Sequence, residues 1–547
     1  GAGRLDWRSA PLPGAGFAET LAAMRDFQLP GRSAVFATRA MAATPNPHAT
    51  RVALETLGAG GNAADAAVAA AAVLAVVEPN QTGVGGDAFF LLAREGRDEL
   101  VGWNGSGRSP AALEPEEAAR GWGPCSAHTV TVPGAVDTWC ELVLRHGRLP
   151  LDRVLAPAIA LARDGFPVHP RTAFEWQDEV EKLAARPLTA TRFLAQGRAP
   201  SPGDIVRFPG LAEVLQRIAR DGRAGFYEGE VAADIVQSLR ALGSRISEDD
   251  LAKHRGEAIT PLRSTYRGIE IAQIPPNNQG LTALLLLGVA EAFDLTGHGP
   301  LDPARLHVLI EAARLAYRDR DLFIADPAVS LVPIAALLSK DRARRLARSI
   351  APDRAMPDLP DPGVRHSDTV YLTVVDETLT AVSLINSVYH AFGSGIATRR
   401  FGFLLQNRGF GFTLERGHPN ALAPAKRPLH TIMPGMALRD GRLWASYGVM
   451  GGDYQPMGHA QVLTLMIDQG LDPQEALEQP RVHHQGGKVL AERGLPAAVA
   501  DALRARGHDV VPAPAPHGGG QIIRVDHDRG VLIGGSEPRM DGLALGC

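Results

Sequence analysis

The most regular pattern of apolar and polar residues lies in two short runs, residues 369–376 and 381–387. Both runs are rich in Val, Thr, Leu and Ile, and a short polar stretch separates them. This pattern predicts a β-hairpin. The register expected from the two runs places Thr369 opposite Val388 and close to Ser387.

Elsewhere a helical period predominates. Residues 66–77 form an apolar, alanine-rich run that follows a candidate N-cap, Asn62, and ends before Pro79, which predicts a buried helix. Further helices are predicted through most of residues 139–260 and at 283–293, 303–325, 339–350 and about 457–470. Strand signals occur at 83–92, 129–134 and in a terminal hairpin at 521–533. Because the signals lack the strict spacing of βαβ units, we expect an α+β fold with helices on both faces of antiparallel strands.

A proline-rich stretch, residues 351–368, precedes the first strand of the central hairpin. Its prolines at positions 352, 357, 360 and 362 predict a linker, because proline neither continues a helix nor fits inside a sheet. A threonine at the start of a strand after such a linker suggests an N-terminal nucleophile. The Thr369 hydroxyl would attack the carbonyl of Asp368, and the freed α-amine, with a pKa of roughly 7.7–8.0, would then serve as its base. Taken alone, the stretch fits an ordinary interdomain linker that ends at an edge strand better.

Composition sets the broad class. A chain of 547 residues with 45% hydrophobic and 21% charged residues is typical of a soluble globular protein with two or more lobes. The net charge of −4 argues against nucleic acid as a partner. The longest apolar run, residues 66–77, is too short to cross a bilayer, so no membrane association is expected. Three cysteines and the lack of a signal pattern favour the cytoplasm, while a removed leader and a periplasmic location stay open.

Other chemistries find less support in the sequence. His483 and His484 suggest a metal site, but adjacent strand residues point to opposite faces and no further ligand has a suitable spacing nearby. The chain contains no Gly-x-Ser-x-Gly nucleophile elbow, and the cysteines lie in no activating context. Gly451 and Gly452 could supply two backbone N–H groups for an oxyanion if Thr369 is the nucleophile, and one such donor contributes about 3 kcal/mol.

Ten motifs, in this order along the chain, then come together: residues 60–68, 85–87, 132–134, 275–280, 368–376, 392–395, 426–428, 451–452, 480–485 and 536–539. This set resembles the γ-glutamyltransferase (γ-glutamyltranspeptidase) family of N-terminal nucleophile (Ntn) hydrolases, and the resemblance covers nearly the whole chain. Because the order and number of the motifs are specific, the resemblance outweighs the linker interpretation of Thr369.

The resemblance implies a four-layer αββα sandwich made as one inactive precursor. The precursor would cut itself between Asp368 and Thr369 into a large fragment, 1–368, that ends in the mobile linker 351–368, and a small fragment, 369–547. Thr369 would be both nucleophile and base, Ser387 a hydroxyl beside it, and Gly451 and Gly452 the oxyanion hole. The two fragments would form a heterodimer, with further dimerisation left open. No cofactor and no metal are implied.

Several positions depart from the family pattern where it binds the glutamyl group. Ser106 occupies the position of the arginine that holds the α-carboxylate, with Arg108 nearby. A pair of serines corresponds to His430 and Thr431, and an asparagine to Tyr389. The glutamine and aspartate that bind the α-amino group fall on Arg408 and Gly411. These changes remove the partner of an ammonium group and add one for an anion.

We therefore expect a hydrolase that forms a Thr369 acyl-enzyme from a small amide with a free carboxylate, oxamate-like or glutaryl-like. Arg408, with Arg108 or His430, would contact that carboxylate, and Thr431 and Tyr389 would line the site. Oxamate amidohydrolases and cephalosporin-acylase-like proteins belong to this branch. Two alternatives stay open: a true γ-glutamyltransferase acting on glutathione, and a non-catalytic relative that never cleaves and serves as a binding module.

Overall fold

Two β-sheets form the centre of the protein. The structure is a computed structural model that describes residues 30–96, 99–357 and 368–547. Residues 358–367 of the predicted linker lie outside the described part. Numbered along the chain, the strands are β1 Val35–Ala37, β2 Met41–Thr44, β3 Asp87–Ala93, β4 Val101–Asn104, β5 Phe166–Pro167, β6 Ile205–Val206, β7 Glu257–Ile259, β8 Leu262–Tyr266, β9 Ile269–Gln273, β10 Asp368–Val375, β11 Ala381–Tyr389, β12 Ile396–Ala397, β13 Leu404–Leu405, β14 Gly435–Arg439, β15 Arg442–Met450, β16 Val482–Gln485, β17 Lys488–Ala491, β18 Asp509–Pro512, β19 Gly519–Asp526, β20 Val531–Ser536 and β21 Leu543–Gly546.

Both large sheets mix strands from before and after Thr369. Within the described residues, the first has seven strands in the order β1-β20-β19-β15-β14-β9-β8, and the second has seven in the order β21-β2-β10-β11-β3-β4-β7. Neighbouring strands in both are antiparallel. The hairpin β10–β11 thus lies between β2 and β3, in the middle of the second sheet.

The helices are α1 Pro47–Gly58, α2 Ala63–Val77, α3 Pro115–Arg120, α4 Ala135–His146, α5 Leu151–Asp164, α6 Pro170–Asp178, α7 Val180–Ala184, α8 Pro187–Phe193, α9 Pro209–Asp221, α10 Ala224–Tyr227, α11 Gly229–Arg240, α12 Glu248–Lys253, α13 Gly280–Ala290, α14 Pro303–Phe323, α15 Ile334–Leu337, α16 Lys340–Ala347, α17 Gln455–Asp468, α18 Pro473–Glu478 and α19 Ala497–Ala505. Short 3₁₀ helices occur at Ala127–Thr129, Arg408–Gly411 and Gly452–Tyr454. The mixture of helices and antiparallel sheets confirms the predicted α+β class.

The alternation of side chains along β10 divides the core. Val370, Leu372 and Val374 join a hydrophobic cluster with α2, α4, α5 and α9, whereas Tyr371 and Val375 join a cluster between the two sheets. A third cluster joins the first sheet to α13, α14 and α17. Successive residues of β10 therefore contact opposite sides of the second sheet.

The alanine-rich helix predicted from residues 66–77 is confirmed as α2. Asn62 is its N-cap and forms a capping box with Asp65, and every residue of the helix is buried. The predictions of helices through most of 139–260, at 303–325 and at 457–470, and of the terminal hairpin, are also confirmed, with ends shifted by a few residues. The strand predicted at 129–134 is wrong: that stretch has only a 3₁₀ turn and irregular backbone.

The register of the central hairpin differs from the expected one. Val375, not Asp376, lies opposite Ala381, because a three-residue turn with Leu379 at φ +55° closes between Asp376 and Thr380. Thr369 nevertheless lies close to Ser387, as predicted. The reason is a bulge between Asp368 and Val370, where the two strands change register.

Among the described residues, no helix combines the length and the apolar character that a membrane span requires.

A close approach of the two sheets gives a test of the fold. A Cβ atom on Gly448 of β15 would lie 2.5 Å from the ring of Tyr371 on β10. We expect Gly448→Ala to lower the free energy of unfolding by about 1–3 kcal/mol, since it overpacks the core between the sheets. Urea unfolding measures the loss. Gly299→Ala is the control, because a Cβ there meets nothing within 4 Å; equal stability of both variants would contradict the packing.

Candidate active site

Thr369 lies buried at the bulge of the central hairpin. Its Oγ1 donates a hydrogen bond to Ser387 Oγ at 3.2 Å, and Ser387 Oγ also accepts from the backbone N–H of Tyr389 at 2.8 Å. Ser387, predicted as a hydroxyl beside Thr369, is therefore in contact with it. The bulge that brings them together is a common device next to active sites.

Gly451 and Gly452 form a turn directly after β15. Their φ values of +121° and +58° lie in the region that favours glycine. The side chain of Gln279 stabilises this turn, because its Nε2 donates to Gly452 O at 2.8 Å and to Thr431 O at 2.7 Å. Arg320 in turn donates to Gln279 Oε1 at 3.1 Å and to Asp453 Oδ1 at 2.7 Å.

Contacts between the sheets join β10, the strand of Thr369, to β15, the strand that ends at this turn. Thr373 Oγ1 is 2.6 Å from Ser446 Oγ, and two residues along each strand the Tyr371 ring packs over Gly448. Thr369 precedes Tyr371 by two residues on β10, and Met450, the last residue of β15, follows Gly448 by two residues. The glycine turn begins at the next residue.

Arg408 is a fully buried arginine at the start of the 3₁₀ helix Arg408–Gly411. Its Nη1 donates to Thr431 Oγ1 at 2.8 Å, and its guanidinium carbon lies 3.9 Å from the centre of the Tyr389 ring. Within the described residues, its Nε and Nη2 have no hydrogen-bond partner. Burial lowers the pKa of Arg408 to about 10, so it remains charged at neutral pH. Buried charged groups are normally paired, so these two donors offer hydrogen bonds that an anionic group could accept.

Tyr389 connects Arg408 to the nucleophile. Its φ of +82° is unusual for a residue with a bulky side chain, and such strain is concentrated at functional sites. Its backbone binds Ser387, while its ring lies against Arg408. Burial raises the pKa of Tyr389 to about 12, so the phenol is neutral.

His430 pairs with Asp87, a residue whose role sequence reasoning missed. His430 Nε2 lies 3.0 Å from Asp87 Oδ2, both side chains are fully buried, and Asp87 is opposite Ser387 in the sheet. Burial, with the charges of Arg408 and Arg427, holds the pKa of His430 well below its usual value, so the imidazole is neutral. Its Nδ1 has no partner among the described residues. Burial also raises the pKa of Asp87 to about 6. The signal in the sequence was a charged residue that directly follows a glycine turn and opens a buried strand.

The structure does not bring Arg108 to this group as a free cation. Arg108 Nη1 forms a 2.7 Å ion pair with Asp326, and its side chain is 35% exposed. Ser106 is buried, and its hydroxyl donates to Asn104 Oδ1 at 2.7 Å. Of the predicted substrate-binding residues, Arg408 contacts both Thr431 and Tyr389, whereas Arg108 has a different partner.

Comparison with known proteins decides the family. The family model described as gamma-glutamyltranspeptidase matches residues 49–547. The chain belongs to the γ-glutamyltranspeptidase family. The resemblance inferred from the sequence motifs is thereby confirmed, and so is the expected enzyme class, a γ-glutamyltransferase-like Ntn hydrolase.

Relatives within the γ-glutamyltranspeptidase family match nearly full length. The chain is 39% identical over 529 residues to the glutathione hydrolase-like YwrD proenzyme of Bacillus subtilis, covering 94% of this chain and 99% of the relative. It is 38% identical over 531 residues to the oxamate amidohydrolase proenzyme of Klebsiella pneumoniae, covering 93% and 98%. The crystal structure of a cephalosporin acylase from Bacillus halodurans superposes with a TM-score of 0.90 at 38% identity, covering 96% and 99%.

The two unpartnered donors of Arg408 predict a cost in stability. We expect Arg408→Met to raise the free energy of unfolding by on the order of 1 kcal/mol, because it removes a buried charge that no carboxylate contacts. The measurement is urea unfolding at pH 5.5, where Asp87 of the variant is neutral. Arg399→Met, at an exposed position in the same part of the chain, should leave the stability unchanged. A clear loss of stability on removal of Arg408 would show that it serves the fold.

Proposed function

We propose that the protein is a self-processing amide hydrolase that forms an acyl-enzyme on Thr369 and acts on a small amide bearing a free carboxylate. The observation that carries this proposal is the buried guanidinium of Arg408, whose Nε and Nη2 have no partner in the described part of the chain. A guanidinium edge with two parallel donors matches a carboxylate in a bidentate arrangement.

Self-cleavage would begin with the Thr369 hydroxyl. Its Oγ1 attacks the carbonyl carbon of Asp368, the bond between that carbon and the Thr369 nitrogen breaks, and the nitrogen takes up a proton. Water then hydrolyses the resulting ester, which leaves a carboxylate on Asp368 and a free α-amine on Thr369. The hydrogen bond from Thr369 Oγ1 to Ser387 orients the hydroxyl for this attack.

Turnover would use the same oxygen. The α-amine of Thr369 accepts the hydroxyl proton as Oγ1 attacks the substrate amide, and the leaving amine receives that proton. The N–H groups of Gly451 and Gly452 stabilise the oxyanion, and the bond from Gln279 to Gly452 O fixes the turn that presents them. Water releases the acyl group from Thr369.

The division of the chain follows from this chemistry. We infer a large fragment, 1–368, and a small fragment, 369–547, which remain together as a heterodimer, with a four-layer αββα sandwich as the shared fold. The interleaved strands support this arrangement, since β10 and β11 pair with β2 and β3. Names of the relatives include the word proenzyme, as expected for precursors that are cut.

Two substrate classes fit a carboxylate-bearing amide. The first is oxamate-like, as the name of the Klebsiella pneumoniae relative suggests, and the second is glutaryl-like. A true γ-glutamyltransferase is the alternative, because the Bacillus subtilis relative is named glutathione hydrolase-like. Its substrate carries an α-ammonium group, which the buried charge of Arg408 disfavours. Turnover of γ-glutamyl-p-nitroanilide that a dipeptide acceptor stimulates would favour the alternative.

Self-cleavage has a direct test. We expect intact-mass measurement of purified wild type to show two fragments divided before Thr369, and Thr369→Ala to stay whole because it lacks the attacking oxygen. Thr373→Val, four residues further along β10, should still cleave. A wild type that remains a single chain would overturn the proposed function.

Substrate selection is tested with matched p-nitroanilides. For Arg408→Met we expect KM for glutaryl-p-nitroanilide to rise about 10-fold to 150-fold, since a charged hydrogen-bonded contact contributes about 1.5–3 kcal/mol. KM for valeryl-p-nitroanilide, which has no carboxylate, should not change. Equal effects on both substrates would show that Arg408 supports the site without selecting the acyl group.

Asp87 predicts a pH dependence of that KM. Its carboxyl is neutral below a pKa of about 6 and negative above it. Because the negative form offsets the charge of Arg408, KM for glutaryl-p-nitroanilide should fall as the pH decreases through about 6. Asp87→Asn, which is neutral throughout, should show the low KM at all pH values. The same trend with valeryl-p-nitroanilide would contradict the electrostatic explanation.

A further inference from the structure

A buried polar cluster lies on α14, outside the candidate active site. It contacts the first residues of the predicted linker. Glu311 and Arg314 of that helix form an ion pair at 2.8 Å, and both side chains are buried. His307, one turn earlier, is fully buried. No step of the proposed reaction uses these residues.

The cluster binds the backbone of residues 351–357. His307 Nε2 donates to Ala351 O at 2.7 Å, and Glu311 Oε2 accepts from Met356 N at 2.8 Å. Arg314 donates to two consecutive carbonyls, Met356 O from Nη1 and Pro357 O from Nη2, both at 2.9 Å. The carboxylate of Glu311 and the guanidinium of Arg314 thus bind adjacent backbone groups of Met356 and Pro357.

Residues that follow Thr369 in the chain also contact this stretch or the side chains that bind it. His508 Nε2 lies 2.8 Å from His307 Nδ1, and Arg506 O accepts from Ala355 N at 2.6 Å. Arg506 Nε also donates to Pro352 O at 3.3 Å. Both predicted fragments therefore hold the same short stretch, and we call this group, His307, Glu311, Arg314, Arg506 and His508, the linker clamp.

His307, Glu311 and His508 of the clamp are of types that also bind metal ions, but the atoms of His307 and Glu311 already take part in other contacts. Both ring nitrogens of His307 and both carboxylate oxygens of Glu311 take part in hydrogen bonds. Arg314 adds a positive charge 2.8 Å from Glu311 Oε1, which opposes a cation. The geometry fits a backbone ligand better than a metal ion.

We propose that the linker clamp anchors the leading end of the segment that runs to the scissile bond, and that this anchoring sets the rate of self-cleavage. The inference rests on the proposed function. The other end of the segment is held by the pairing of Asp368 with Tyr389, so the clamp fixes the second end and limits the directions from which the chain enters the scissile peptide bond. The members of the clamp are positioning residues, since none of them contacts the reacting atoms.

Two variants test the proposal. Glu311→Gln/Arg314→Leu removes the ion pair as a unit and leaves no unpaired buried charge. Arg506→Ala removes a side-chain contact from the small-fragment side without opening a buried site. Arg344→Ala is the control, because this arginine is exposed and pairs only with Asp341 among the described contacts.

The first readout is hydrogen exchange at the amides of Ala355 and Met356, measured on a Thr369→Ala background that cannot cleave. We expect protection to fall at least about tenfold in the double variant, and to fall less in Arg506→Ala. Unchanged protection would overturn the clamp whether or not the wild type cleaves.

The second readout is the rate of self-cleavage, followed by intact mass after purification under conditions that stop the reaction. We expect the double variant to cleave about tenfold more slowly than wild type or Arg344→Ala, while its processed form keeps the wild-type kcat. Equal cleavage rates would overturn the proposal and leave the proposed function intact. A wild type that never cleaves would overturn the proposed function, and the exchange experiment would still report on the clamp.

Discussion

A single buried carboxylate, that of Asp87, holds together the segments that surround the nucleophile. Asp87 Oδ1 accepts from the backbone N–H groups of Gly107 and Gly134 and from Gln406, while Oδ2 faces His430. These partners belong to four separate stretches of the chain, one of which continues into Arg408. Since a buried carboxylate is tolerated only when it is well hydrogen-bonded, these contacts favour the arrangement in which the four stretches meet at Asp87.

The same requirement explains how an arginine can be kept in the interior. Arg408 has Asp87 as a nearby opposite charge, Thr431 as a direct acceptor and the Tyr389 ring as a flat neighbour. None of these neutralises the guanidinium completely, and the carboxylate of a bound substrate would supply the missing negative charge. The proposed affinity for an anion and the incomplete pairing of Arg408 are thus two aspects of one arrangement.

Sequence reasoning succeeded where local patterns decide the structure. The run of alanines after Asn62 and the Val/Thr-rich strands around Thr369 are determined by neighbouring residues, and both were predicted correctly. It failed where distant residues decide. No residue near Asp87 in the sequence indicates that its partner is His430, which lies far along the chain. Likewise, no residue near Arg108 indicates that it pairs with Asp326. The register of the hairpin was missed by one residue because the turn depends on a left-handed Leu379, a conformation that leucine rarely adopts.

The position of β10 and β11 in the middle of a sheet has a consequence for how the protein folds and unfolds. Strands on both sides of them come from the amino-terminal part of the chain, so a break before Thr369 leaves two polypeptides woven through each other. While the chain is whole, each strand finds its neighbours as parts of one molecule. Once it is cut and unfolded, the same pairing becomes a search between two molecules that depends on concentration. Folding would therefore be available once, before the cut, and the lifetime of the finished protein would be governed by how slowly it unfolds.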